Sequence, residues 1–131
     1  MTIDDRAALI DQFVYAWNIK DVDALMNLMT DNCTFHSSVG PDPGVRFEGH
    51  ADVRRGFEMY LRPSGSATET VMEKPLVSMN FAVTRWTTFQ RHGDGTVLET
   101  RACDVFEFEG DRIRRKDTYR KISTPVTASS R

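Results

Sequence analysis

Apolar residues recur every three or four positions in the first half of the chain and alternate in the second half. Ile3, Ala7, Ile10, Phe13, Val14 and Trp17 share one side of a helical wheel, which predicts an amphipathic helix ending near Asn18. Thr2, followed three residues later by Asp5, has the form of a capping box at its start. Asp21 or Asp23 caps a second helix, with Val22, Leu25, Met26 and Met29 on its buried stripe. Cys33 to Ser37 reads as a short strand, and Ser38 to Gly49, holding Pro41, Pro43 and three glycines, as a loop. A third helix, Ala51 to Leu61, packs through Val53, Phe57, Tyr60 and Leu61 and stops before Pro63, where a connector to Ser66 begins.

From Thr68 onward the period is two. Thr68 to Ser78 is expected as an edge-type strand, because Pro75 has no N–H to give to a ladder. Phe81, Val83, Arg85, Thr87 and Phe89 form one mostly apolar face of the next strand, which ends in the turn cluster His92–Gly95. Thr100 to Ile122 is a hairpin about Gly110-Asp111. If each turn is a two-residue one, Phe108 faces Ile113, Phe106 faces Arg115, Asp104 faces Asp117, and Arg85 stands opposite Asp104. A slip of two residues in the first hairpin would put Arg85 at Ala102 but on the same face. The expected inner row is Arg85–Asp104–Asp117, with Tyr119 one step along. Glu107 with Arg114 and Val105 with Lys116 then make a solvated ladder on the other face.

Helices followed by an antiparallel meander predict an α+β domain, its three helices packed on one face of a strongly bent antiparallel sheet that encloses a cone-like cavity. At 131 residues the chain is one domain, residues 1–122, with a polar and flexible tail at 123–131. A formal charge of -2 with no basic stripe argues against nucleic acid or an anionic membrane as partner. No run is long and apolar enough for a membrane span, and the N-terminus shows no signal-peptide pattern. Cys33 and Cys103 are far apart with no CxxC, so two small half-buried thiols in a reduced, cytoplasmic setting are expected. No HxH or HExxH spacing suggests a metal and no glycine pattern suits a dinucleotide, so no cofactor is expected.

Two facing carboxylates on an apolar wall offer one acid and one base to a single ligand, as enolisation requires. In this register Asp117 is the proton carrier, Asp104 its partner and Arg85 the charge stabiliser. Trp17, His36, Phe106 and Tyr119 are the candidate substrate contacts. His50 opens the third helix and His92 lies in a turn, so neither has an assigned chemistry.

FVYAWNIKDVDALMNLMTDNCTFHSSVG, FEGHADVRRGF and CDVFEFEGDRIRRKDTY together resemble the nuclear transport factor 2-like superfamily, in particular its SnoaL-like branch of polyketide cyclases and ketosteroid isomerase relatives. The resemblance implies the cone-shaped fold, a hydrophobic ligand and pairing of two copies through the outer face of the sheet. In ketosteroid isomerases a helix Tyr, a strand Asp and a second Asp act on the steroid; the matching positions are Phe13, Asp104 and Ser37. The acid of the SnoaL-type cyclases matches Asp117. The Asp–Arg–Asp arrangement of limonene epoxide hydrolases has Arg85 and Asp117, with the other Asp near Thr87, and the strand histidines of scytalone dehydratases have no counterpart.

The expected function is a small cofactor-independent enzyme that transfers protons on a hydrophobic carbonyl-bearing molecule, as an isomerase, cyclase or lyase. The alternatives are a non-catalytic ligand-binding dimeric module and epoxide hydrolysis by water held between carboxylates. In the dimer, Cys103, Val105 and Thr118 are expected near the contact, among Glu107, Arg114 and Lys116.

Overall fold

The computed structural model describes residues 1–63 and 67–121. Most of the expected connector at 64–66 and the tail from residue 123 lie outside them. Helix α1 (Ile3–Asn18) opens on the expected capping box: Asp5 N–H donates to Thr2 Oγ1 at 3.1 Å, and Thr2 N–H to Asp5 Oδ2 at 2.8 Å. Helix α2 (Val22–Asn27) is capped by Asp21 and ends early, so that Met29 begins strand β1 (Met29–His36). Strand β2 (Arg46–Glu48) folds back on β1, and α3 (His50–Tyr60) follows with Gly49 before it at φ 85°.

The expected edge strand is broken in two at Pro75, into β3 (Ala67–Met72) and β4 (Leu76–Val77), both paired to β5 (Phe81–Arg91). Strands β6 (Val97–Glu109) and β7 (Arg112–Arg120) complete a sheet in the order β2-β1-β7-β6-β5-β3. The sheet is mixed rather than purely antiparallel, since β1 runs parallel to β7. The helices cover its concave side. Ile10, Phe13, Leu25, Met26, Val53 and Phe57 pack there against Phe35, Phe106 and Ile113, all essentially buried. The cluster is aromatic at its centre: Phe13 meets Phe106 edge-on at 5.1 Å and Phe57 at 6.0 Å.

One charged residue on α1 is buried in this packing. Arg6, at 8% exposure, donates from Nε to the Met79 carbonyl at 3.2 Å and from Nη1 to the Gly110 carbonyl at 2.6 Å, with its guanidinium 4.5 Å from the centre of the Phe108 ring. It ties the first helix to the loop before β5 and to the turn between β6 and β7. Helical periodicity alone placed the apolar Ile3 on this stripe, yet Ile3 is half exposed.

Both hairpins depart from the expected register by one residue. The β5–β6 connection closes at Arg91↔Val97, with His92 N–H donating to the Thr96 carbonyl, so the loop holds one residue more than a two-residue turn. Asp104 therefore stands opposite Thr84, and Arg85 opposite Cys103. In β6–β7 the turn is as expected: Glu109 pairs with Arg112, Phe108 with Ile113, and Gly110 takes φ 60°. Arg114 is then an extra, unpaired residue: a bulge, after which Glu107 pairs with Arg115, Phe106 with Lys116, Val105 with Asp117 and Asp104 with Thr118. A one-residue shift exchanges the faces of every residue beyond it. Lys116 and Thr118 thus point inward and Asp117 outward, and the outer pairs are Glu107–Arg115 at 3.2 Å and Glu109–Arg114 at 3.1 Å.

Candidate functional site

Between α1 and the concave face lies a cavity of about 250 Å³. Phe13, Trp17, Phe106, Trp86 and Met72 wall it, together with Thr68 and Thr70 of β3 and Thr84 and Thr88 of β5. Each sheet residue is there because it falls on the same alternating set: Thr84 and Trp86 in β5, Asp104 and Phe106 in β6, Lys116 in β7.

Asp104 and Lys116 are the only charged groups among these lining residues, and they are paired. Lys116 Nζ donates to Asp104 Oδ1 at 3.0 Å, with side chains only 4% and 9% exposed. It also donates to Thr118 Oγ1 at 2.9 Å, and Thr118 in turn donates to the same Asp104 oxygen. The ammonium lies 4.6 Å from the ring centres of both Trp17 and Phe35. Among the described residues the second carboxylate oxygen, Oδ2, accepts no hydrogen bond. The pair sums to zero charge, so the cavity offers an acceptor and a cation without attracting ions of either sign.

Of the residues expected at a site, Asp104, Phe106 and Trp17 line this cavity. Asp117, Arg85 and Tyr119 do not, because the two one-residue shifts turn them to the other side of the sheet, and His36, paired with Asp117 at the end of β1, lies there with them. There Tyr119 Oη donates to Asp117 Oδ2 at 3.0 Å, and that hydrogen bond, with the carboxylate's charge, raises the Tyr119 hydroxyl above its ordinary range. Arg115 lies 3.6 Å from Asp117 and donates to His36 Nδ1 at 3.3 Å. Burial first, and the Arg115 charge second, hold His36 below its ordinary value. Arg85 pairs with Glu73 at 3.4 Å on the open surface. The expected facing of Asp104 and Asp117 therefore does not occur, nor is an Asp–Arg–Asp arrangement assembled in the cavity. Among the described residues no group of His, Cys, Asp or Glu is placed to hold a metal ion. Cys33 is buried in the core, which pushes its thiol up to about 11.

Lys116, Thr118, Thr84 and Trp86 were missed from sequence. The set Ala82, Thr84, Trp86, Thr88 alternates as regularly as Phe81, Val83, Arg85, Thr87, Phe89, and only the loop length selects between them. For Lys116 no comparable signal exists, since a bulge at Arg114 has no glycine to mark it.

The family model of the SnoaL-like domain matches residues 10–116, and the chain belongs to that family. A sequence comparison with curated proteins finds no match. Among solved structures, an NTF2-like protein of unknown function from Mesorhizobium loti is 21% identical over 91% of this chain and 93% of its own, with a TM-score of 0.75. Bal32a, from a soil-derived mobile gene cassette, is 20% identical over 90% of each chain at a TM-score of 0.73. A Kribbella flavida protein proposed to be a ketosteroid isomerase is 13% identical over 95% of this chain and 84% of its own at 0.72. These likenesses show the cone-shaped nuclear transport factor 2-like fold. Of the positions matching the ketosteroid isomerases, Phe13 is a cavity wall and Ser37 is buried with its hydroxyl 2.5 Å from Tyr60 Oη. Of the three, only Asp104 places a carboxylate on the cavity wall.

Proposed function

We infer that the protein is a small cofactor-independent enzyme that moves a proton on a carbon next to a carbonyl group, in the manner of isomerases and cyclases. The carrying observation is the Asp104–Lys116 pair on the wall of an otherwise aromatic and threonine-lined cavity. Asp104 Oδ2 is the base, because its other oxygen is already bound by Lys116 and Thr118. The Lys116 cation, held in place before any ligand arrives, offsets the charge that develops on the carbonyl oxygen. The cavity is near the lower end of the range for small-molecule sites, ~300–1,000 Å³, which suits a compact molecule of one or two rings. The family's breadth supports this class of reaction without naming a substrate.

The test is deuterium exchange. A panel of cyclic and aryl ketones is incubated with the protein in heavy water and the α-carbon signals are followed by NMR. Exchange faster than in protein-free buffer, and lost in Asp104→Asn, is expected. No acceleration for any ketone, or full exchange by Asp104→Asn, refutes the assignment. One observation favours a binding module instead: both hydrogen bonds to Asp104 converge on one oxygen, as in a purely structural pair. In that case the ketones bind to the parent and to Asp104→Asn alike, and neither exchanges them.

The functional unit is a homodimer formed through the outer face. Phe81 and Val71 stand half exposed there. Cys103, Val105 and Glu107 belong to this face, whereas Lys116 and Thr118, expected there from sequence, do not. Sedimentation that finds only a 14.9 kDa species rules it out.

A further inference from the structure

Lys116 is the one lysine of the chain that is buried; Lys20, Lys74 and Lys121 are exposed. Its amine sits on the cavity wall, joined to a carboxylate on one side and flanked by two aromatic rings. In the proton-transfer scheme Lys116 serves only as a fixed charge. We propose that Lys116 is instead a covalent amine, whose Nζ condenses with an aldehyde or ketone in the cavity to give an iminium ion. This rests on the reading that the cavity takes neutral carbonyl compounds, and it replaces the enolate of that scheme with an enamine.

The surroundings of Nζ carry it. Nζ and Asp104 Oδ1 already share a hydrogen bond of 3.0 Å, so a proton has a path of one step. Thr118, which accepts from Nζ and donates to Asp104, gives a second path. A ligand that fills the cavity expels water from both charges, and a buried ion pair stripped of water gains by passing its proton and becoming neutral. The rings of Trp17 and Phe35 favour a cation at this nitrogen, and the iminium keeps one there. The contacts that hold the ammonium therefore also hold the product of condensation.

The step balances within the pair. Nζ gives a proton to Asp104, and its lone pair forms a C–N bond to the carbonyl carbon while the C=O π pair moves to oxygen. That oxygen takes the proton from Asp104. The nitrogen, now positive, returns a second proton to Asp104, which passes it to the hydroxyl as the C–O bond breaks and water leaves. The sum is ammonium plus carbonyl giving iminium plus water, with nothing oxidised or reduced. Asp104 ends as a carboxylate beside the iminium, where it can take the α-proton.

The experiment is reductive trapping. The protein is mixed with benzaldehyde or cyclohexanone and sodium cyanoborohydride, its intact mass is followed, and the adduct is located by peptide mapping. The expected result is an adduct on Lys116 while Lys20, Lys74 and Lys121 stay unmodified, and loss of that adduct in Lys116→Met. Mapping on the unaltered chain decides the matter even if the variant does not fold. Adducts confined to the exposed amines, or no adduct with either probe, overturn the proposal. If deuterium exchange proceeds in the same preparation without an adduct, the lysine chemistry fails and proton transfer by Asp104 stands. A cyclohexanone adduct on Lys116 without α-deuterium exchange upholds the lysine and removes the proton-transfer reading; benzaldehyde, which has no α-hydrogen, reports the adduct alone.

Discussion

Asp104 on β6 and Asp117 on the neighbouring β7 sit on opposite faces of the sheet, and each has a cation and a hydroxyl for company. Asp104 has Lys116 and Thr118; Asp117 has Arg115 and Tyr119. The ingredients match but the surroundings differ. The inner pair is closed under Trp17 and Phe35, with side chains 4% and 9% exposed, while Arg115 and Asp117 are 37% and 17% exposed and Tyr119 lies open to water. In water the attraction between such groups is screened and their loss is repaired by solvent. Beneath aromatic rings it is neither, so the same chemistry gains both energy and consequence.

The sharpest way to break this comparison is to remove each carboxylate in turn. Asp104→Asn is expected to lower α-proton exchange by about two to four orders of magnitude. Asp117→Asn should leave it at the parental rate; a loss there equal to that of Asp104→Asn would mean the outer cluster is the reactive one. Next in size are the cations. Lys116→Met leaves Asp104 buried and unpaired and should cost about 3–5 kcal/mol in urea denaturation. Arg115→Met, on the outer face, should cost no more than about 1 kcal/mol. Replacing the inner pair together, by Lys116→Met with Asp104→Leu, should recover most of the loss, because no lone charge remains. The apolar residues sharpen the contrast in the same direction. Phe106→Ala, at 1% exposure, is expected to destabilise by about 3–5 kcal/mol. Phe81→Ala, half exposed, should change monomer stability by about 0.5 kcal/mol or less and act instead on association.

The smallest expected effect is a pH dependence that belongs to the outer face alone. His36 is held below its ordinary value of 6.5 by burial and by Arg115, so the fold prefers it neutral. The unfolded chain binds the proton more readily, and stability therefore rises with pH across this window. The contribution is fully present above the unfolded value of 6.5 and is lost as the pH falls through the lower, folded one. Melting temperatures between neutral and mildly acidic pH should show a downward slope on acidification that is shallower in His36→Phe. An equal slope in that variant would assign the effect to other groups.

The helices and their capping were legible because periodicity and Thr2–Asp5 are local signals, and the fold class followed from their order. Strand β6 was legible too, since Ala102, Asp104, Phe106 and Phe108 offer only one apolar face. What could not be read was the parity of the two neighbours. Strand β5 carries two almost equivalent faces, and a single residue in the His92–Thr96 loop chooses between them. In β7 a run of cations, Arg114-Arg115-Lys116, hides which one is folded over and which one is buried. Sequence pattern sees polarity, whereas burial of Lys116 depends on rings that come from α1 and β1, far along the chain. Of the seven expected residues, Trp17, Asp104 and Phe106 therefore line the cavity, and Arg85, Asp117, Tyr119 and His36 lie on the far side of the sheet.

The bulge at Arg114 has a consequence for how the chain can change length. Because Arg114 is surplus to the ladder, its deletion would close β7 into a regular strand and still leave Lys116 opposite Phe106. A deletion one step beyond Lys116 would find no such slack: Thr118 would move outward and Tyr119 would be driven against the cavity. The hairpin thus tolerates the loss of a residue at one position and is intolerant a few ångströms away. A change of length in this strand is harmless or ruinous according to which side of Lys116 it falls.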